Sequence, residues 1–203
     1  MSKPYKAVIF DLGRVLVRLD LSSWTRHLFT GRNPKDIERT LQQIMKEDVV
    51  KRCLTGQTNG PSFHRELCGT YGIDLSYERF VEVWQDIFSP MPGMDELVEQ
   101  VKQTHRAGLL SDTDLIHWQF LSVNYPVLRH FDKPTLSFLV GTTKPDPLIY
   151  QTAAANVGAT CEECFYIDDL SKNVDGARQA GMTAVQFQNP DQVREDLKSA
   201  GIL

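Results

Sequence analysis

No stretch of this sequence stays apolar over the roughly 18 residues that a membrane-crossing helix requires, which excludes an α-helical span. A basic excess is missing too. Lysine and arginine number 22 against 26 aspartates and glutamates, for a net charge of −4, and the basic residues are scattered. That distribution argues against a nucleic-acid-binding footprint. Cysteine is scarce, and Cys53, Cys68, Cys161 and Cys164 make no disulfide framework. Cys161 and Cys164 form a C-x-x-C, but no second pair and no nearby histidine completes a zinc set. They read as two loop or helix-end thiols in a reducing compartment. Internal repeats and low-complexity segments are absent. Between Met1 and the first apolar strand there is no room for a signal peptide, so a cytoplasmic protein is expected.

What is present is enough for one core with an insertion: 203 residues, 41% of them apolar. Short apolar runs at Ala7–Phe10, Ala107–Leu110, Leu136–Val140, Phe165–Ile167 and Ala184–Phe187 read as buried strands of a parallel sheet. Helical patterns separate the later ones. In "DPLIYQTAAANVG", Asp146 is the expected N-cap, Pro147 the first helical residue and Gly158 the stop. "LSKNVDGARQAG" has the same form, with Ser171 as its cap and Gly181 as terminator. Alternating strands and helices predict an α/β fold, a Rossmann-like parallel sheet with right-handed crossovers. Residues 20–90 break the rhythm with three amphipathic helical patterns and no strand between them. In "SYERFVEVWQDIF", Phe80, Val83, Trp84, Ile87 and Phe88 share one face, expected to be core. The predicted division is therefore an α/β core from 1–19 and 91–203, with an inserted all-helical cap at 20–90.

Polar residues gather at the carboxyl ends of the predicted strands, where open α/β sheets bind ligands. The first strand ends at Asp11, the second at Ser111 and Asp112; Lys144 follows the third, and the fourth ends at Asp168 and Asp169. Three carboxylates brought together raise one another's pKa unless a cation sits among them. Oxygen ligands around a hard divalent ion match Mg²⁺, which commonly bridges carboxylates to a phosphate. Lys144 supplies compensating positive charge. Ser111 and the backbone N–H groups of the turns can hold phosphate oxygens. With the repulsion screened, one oxygen of Asp11 can attack phosphorus and form an aspartyl-phosphate, which water then hydrolyses. The pattern points to phosphoryl transfer from a small phosphorylated metabolite.

"VIFDLGRVL", "LLSDTD", "TKPDPLIY" and "FYIDDLSKNVDGARQAGM" together resemble the four motifs of the haloacid dehalogenase-like hydrolases, across nearly the whole chain. The first motif, with D-L-G, and "YPVLRHFDK" are similar to the subgroup that includes bacterial α-D-glucose-1-phosphate phosphatases. The resemblance implies a helical cap on a Rossmann-like core, with Asp11 as nucleophile and Ser111 and Lys144 as phosphate contacts. It also implies Mg²⁺ held by Asp11, the Gly13 carbonyl and Asp169, with Asp168 acting through a bound water.

The sequence departs from that pattern at three positions. Most phosphatases of the superfamily carry aspartate two residues after the nucleophile, as general acid and base; here that residue is Gly13. The loss predicts a slow enzyme, a substitute acid, or a good leaving group such as that of a sugar 1-phosphate. Asp112 stands where the family usually has asparagine. Arg14, in place of a common glycine or asparagine, is a candidate partner for Asp112 or for the substrate. Two alternatives accompany the phosphatase reading. A 2-haloacid dehalogenase tolerates Gly13 but leaves the Asp168–Asp169 pair unexplained. A non-catalytic protein binding a phosphorylated ligand accounts for the missing acid but not for the intact nucleophile and lysine. In the cap, His27 and His64 read as structural, and neither they nor Trp24 is assigned a role in selectivity.

Overall fold

The computed structural model describes residues 5–28 and 34–203. The expected lead of residues 1–4 into the first strand, and the Asn33 that opens one helical pattern, lie outside them. In chain order the first elements are β1 (Ala7–Phe10), β2 (Val17–Leu19), α1 (Ser22–Leu28), α2 (Pro34–Ile44) and α3 (Asp48–Leu54). Next come α4 (Gly60–Tyr71), α5 (Tyr77–Gln85), β3 (Phe88–Pro90), α6 (Met94–Lys102), β4 (Arg106–Ser111) and α7 (Leu115–Asn124). The chain then forms β5 (Thr135–Leu136), α8 (Ser137–Val140), α9 (Pro147–Asn156) and β6 (Cys164–Asp168). It closes with α10 (Ser171–Gln179), β7 (Thr183–Gln186) and α11 (Pro190–Ser199).

Five parallel strands form the sheet in the order β5-β4-β1-β6-β7. Side-chain alternation explains why the central strands are apolar throughout. Val8 and Phe10 of β1 pack on one layer with Leu97 and Val193, while Ala7 and Ile9 join Ile149 and Val174 on the other. Helices cover both faces, and the polar groups singled out from the sequence gather along the line of the strands' carboxyl ends.

The segment after β2 is helical through α5 and has an apolar cluster of its own, including Trp24, Val50, Phe63, Phe80 and Trp84. Trp84 stacks on Trp24 at 4.1 Å between ring centroids. Its two connections to the sheet are paired with each other: β2 and β3 run antiparallel, with Val17 opposite Pro90 and Leu19 opposite Phe88. Phe88 therefore lies in a strand and not on the helical face predicted for it. The helix stops at Gln85, and Phe88 joins the ribbon because the backbone groups of β2 need a partner there.

Two further expectations change. Only Thr135–Leu136 of the third apolar run is strand; Ser137–Val140 is a short helix closed by Gly141 in the left-handed region (φ 85°). Such short runs read equally as strand or helix. The Ser137 hydroxyl decides the matter by donating to the Thr113 carbonyl and accepting from the Thr113 N–H, both at 3.0 Å. The turn leaves Leu139 70% exposed, which a buried strand would not. Ser171 is the first residue of α10 and not its cap; the Asp168 carboxylate accepts from the Leu170 N–H instead, at 2.8 Å. Around α9 the expectations hold. Asp146 caps the helix by accepting from Leu148 N at 2.9 Å, and Gly158 follows its end with φ 65°.

α8 also braces the helical segment. Gly56, just beyond α3, has φ +70°, and a Cβ there would overlap the Phe138 carbonyl oxygen. Gly56→Ala is therefore expected to destabilise the protein by about 1–3 kcal/mol, through backbone strain and displaced packing. Urea denaturation measures this as a lower midpoint.

Candidate active site

The strand ends open into a cavity of about 580 Å³ between the sheet and the helical segment. Asp11, Gly13, Arg14, Ser111, Asp112, Lys144 and Asp169 all line it. Of the eight candidate site residues, Asp168 does not; it is fully buried behind the wall.

Lys144 stands at the centre. Its Nζ donates to Asp11 Oδ1 at 2.7 Å, to Asp168 Oδ2 at 2.8 Å and to the Tyr166 hydroxyl at 3.3 Å. Burial disfavours the ammonium, but the charges of Asp11, Asp168 and Asp112 outweigh it and hold the lysine above its ordinary range. Asp11 feels the opposite balance. Burial, assisted by the Asp168 charge and opposed by Lys144, pushes its carboxyl up to about 7. Asp169 is raised as well, by burial first and then by Asp168.

Asp168 works as an anchor. Oδ1 accepts from Leu170 N and from Asn173 Nδ2 at 3.0 Å; Oδ2 accepts from Lys144, from Asn173 Nδ2 at 3.1 Å and from the Tyr166 hydroxyl. One oxygen from each of Asp11, Asp168 and Asp169 lies within 4.8 Å of the others, a group able to hold a metal ion. Nearby, Asn173 Oδ1 is the buried side-chain polar atom left without a partner among the described residues. An orphaned acceptor beside three carboxylates fits a hydrated cation, whose waters are donors.

Asp112 and Arg14 do not pair with each other as the sequence suggested. Asp112 Oδ1 accepts from the Lys144 backbone N–H at 3.1 Å, which fixes the lysine loop and gives one oxygen of the extra carboxylate a protein donor. Burial raises the Asp112 carboxyl. Arg14 has φ +60°, a left-handed conformation unusual for a side-chain-bearing residue, and its Nη1 lies 3.5 Å from Asp169 Oδ2. Ser111 lies on the cavity wall, and its hydroxyl takes no protein partner among the described residues.

Four contributors escaped the sequence reading. Tyr166 stands two residues before Asp168 on β6, and so on the same face, a signal available from strand period alone. Asn173 sits in the first turn of α10. Asp114 and His117, spaced i, i+3 at the start of α7, form a buried pair facing the helical segment. Asp114 caps α7 through His117 N at 2.9 Å, and its Oδ2 meets His117 Nδ1 at 2.8 Å and Trp84 Nε1 at 3.3 Å. His117 Nε2 lies 2.9 Å from the Trp84 carbonyl oxygen. Burial works against the Asp114 carboxylate, but His117 and the Trp84 indole outweigh it and hold the group below 3.8. A depressed carboxyl contributes stability that is complete above the unfolded value of 3.8 and lost as pH falls through the lower folded value. Asp114→Ala is expected to cost about 2–4 kcal/mol, from the lost cap and buried hydrogen bonds. In urea titrations the gap to wild type should be full at pH 6 and shrink below pH 3.8.

The sequence profile of the haloacid dehalogenase-like hydrolases matches residues 5–181. A glyceraldehyde 3-phosphate phosphatase of Methanopyrus kandleri is 33% identical over 171 residues, covering 79% of this chain and 70% of its own. A D-ribitol-5-phosphate phosphatase of Bacteroides thetaiotaomicron is 23% identical over 199 residues, 95% of this chain and 96% of that one. Among solved structures, a HAD family enzyme of Bacteroides thetaiotaomicron in complex with magnesium and inorganic phosphate superimposes with a TM-score of 0.77. That alignment is 23% identical and covers 91% of this chain and 95% of the other. With the strand-end carboxylates and lysine in place, these matches identify the chain as a member of the haloacid dehalogenase-like hydrolase family.

Proposed function

We propose that this chain is a Mg²⁺-dependent phosphatase of a small phosphorylated metabolite, with Asp11 as its nucleophile. The observation that carries the reading is the Asp11 carboxyl, buried on the cavity wall with one oxygen held by Lys144 at 2.7 Å. A carboxylate oxygen of Asp11 attacks phosphorus, the ester P–O bond breaks, and the leaving oxygen takes a proton from water to depart as the alcohol. Water then hydrolyses the aspartyl-phosphate, returning the carboxylate and inorganic phosphate. The free Ser111 hydroxyl holds a phosphate oxygen, and Lys144 does so by exchanging one of its present protein acceptors for it. Arg14, Lys46, Lys51 and Lys172, all exposed on the cavity rim, attract the dianion.

Asp11, Asp169 and the Gly13 carbonyl would hold the Mg²⁺. The oxygens of Asp168 are already taken by protein donors, so its part is to fix Lys144 and Asn173. When bound, the metal neutralises the phosphate and polarises it toward attack. Residues 20–90 act as the cap over a core of 1–19 and 91–203. Relatives named for phosphatase activity on glyceraldehyde 3-phosphate and D-ribitol-5-phosphate support a small metabolite as substrate. The four buried, free thiols suit a reducing, cytoplasmic setting.

Phosphate release from a metabolite panel should require Mg²⁺, stop with chelator, and fall about 10³-fold or more in Asp11→Asn. Unchanged release in that variant would defeat the mechanism. Gly13 leaves the acid position without a side chain, yet a Cβ there would meet only Leu19 Cδ1, at 3.4 Å. Gly13→Asp is accordingly expected to speed hydrolysis of alkyl phosphates by about 10²-fold while changing acyl phosphates little, read from kcat on both.

A further inference from the structure

Resting on the phosphatase reading, we infer that the organic part of the substrate is predominantly apolar, an alkyl or aryl group and not a polyol. Four helices of the cap each present apolar side chains to the cavity: Trp24 from α1, Val50 and Leu54 from α3, Phe63 from α4 and Trp84 from α5. Val50 and Leu54, four residues apart, share one face of α3. Leu19 of β2 and Phe88 of β3 complete the wall toward the ribbon.

The indole, imidazole and carboxylate groups at the inner part of this wall are consumed internally. The Trp24 indole N–H donates to the Trp84 carbonyl at 3.4 Å, and the Trp84 indole donates to Asp114. Both ring nitrogens of His117 face protein oxygens, and both oxygens of Asp114 accept protein donors. Burial pushes the Cys53 thiol up to about 12, so it remains an uncharged, weak donor. The cap's remaining polar contributions, Lys46, Glu47 and Lys51, are charged; the two lysines are exposed, and Glu47 is tied to the Tyr71 hydroxyl at 2.6 Å.

A polyol placed against this wall would bury hydroxyls without partners, whereas an apolar chain or ring would remove apolar surface from water on both sides. The volume, about 580 Å³, lies within the range that encloses a ligand larger than a triose. Phosphate and organic part thus face chemically opposite halves of one cavity. The cations and carboxylates of the strand ends hold the first, and the cap aromatics and aliphatics hold the second.

The test measures binding so that a slow leaving group does not obscure it. Acetyl phosphate hydrolysis with Mg²⁺ is inhibited competitively by n-hexyl phosphate, 2-phenylethyl phosphate and ribitol 5-phosphate, all primary alkyl monoesters. The inference expects the first two to have inhibition constants at least tenfold below that of ribitol 5-phosphate. It also expects Leu54→Asn to shrink that ratio at least threefold. Because the ratio is internal, a general loss of folded protein does not move it. Equal or tighter binding of ribitol 5-phosphate, with acetyl phosphate still turned over, overturns the inference and leaves the phosphatase reading intact. No hydrolysis of acetyl phosphate or of any monoester overturns both.

Discussion

The Lys144 ammonium, with its side chain 2% exposed, lies 2.7 Å from Asp11 and 2.8 Å from Asp168, and the geometry of the site hangs on that contact. Moving such a charge out of water is costly, and it is tolerated only because carboxylates and hydrogen bonds surround it. The two carboxylates belong to neighbouring strands, since Asp11 follows β1 and Asp168 ends β6. A third, Asp112 just after β4, holds the lysine's backbone N–H. One residue, through its ammonium and its backbone N–H, therefore ties together three strand ends and the loop before α9. Buried ion networks of this kind add little to net stability compared with an apolar core, and their usual return is specificity of arrangement. Here that arrangement leaves Asp11 restrained at the cavity wall, with burial and the Asp168 charge raising its carboxyl and Lys144 opposing the rise.

The cap is held by different means. Its own apolar cluster keeps its helices together, and it meets the core through the β2–β3 ribbon, the Gly56–Phe138 approach and the Trp84–Asp114–His117 contacts. Those contacts occupy the indole and imidazole nitrogens that line the cavity, which leaves carbon facing inward. Anchoring and lining are thus one arrangement: the hydrogen bonds that fasten the cap take up the indole donors that would otherwise face the cavity.

Much of this was legible in the chain. Strands such as Ala7–Phe10 declare themselves because a strand covered on both faces must be apolar at every position. Asp11, Ser111, Asp168 and Asp169 stand out because a polar residue at the end of such a run has nowhere apolar to go; Lys144 stands in the loop after a run that is mostly a short helix. The misread segments lacked that one-to-one relation. "LSFLV" has the same composition in a strand or a helix, and only the Ser137–Thr113 contact chose between them. Phe88 continued a helical face on paper, but β2 claimed its backbone. Ser171 has a capping side chain, but the carboxylate three residues earlier was already there.

Sequence alone therefore determined the alternation of strand and helix, the inserted helical cap and the chemical identities at the strand ends. These follow from local periodicity and from residue type. Tertiary structure decided who pairs with whom: Arg14 with Asp169 and not Asp112, Asp112 with the lysine loop, Asp168 as a buried anchor behind the cavity. It also decided that the indoles of Trp24 and Trp84, and the His117 imidazole of α7, find their partners within the protein. Those outcomes depend on distances between residues as remote in the chain as Arg14 and Asp169, and composition and spacing carry no information about them until the sheet brings the strand ends together.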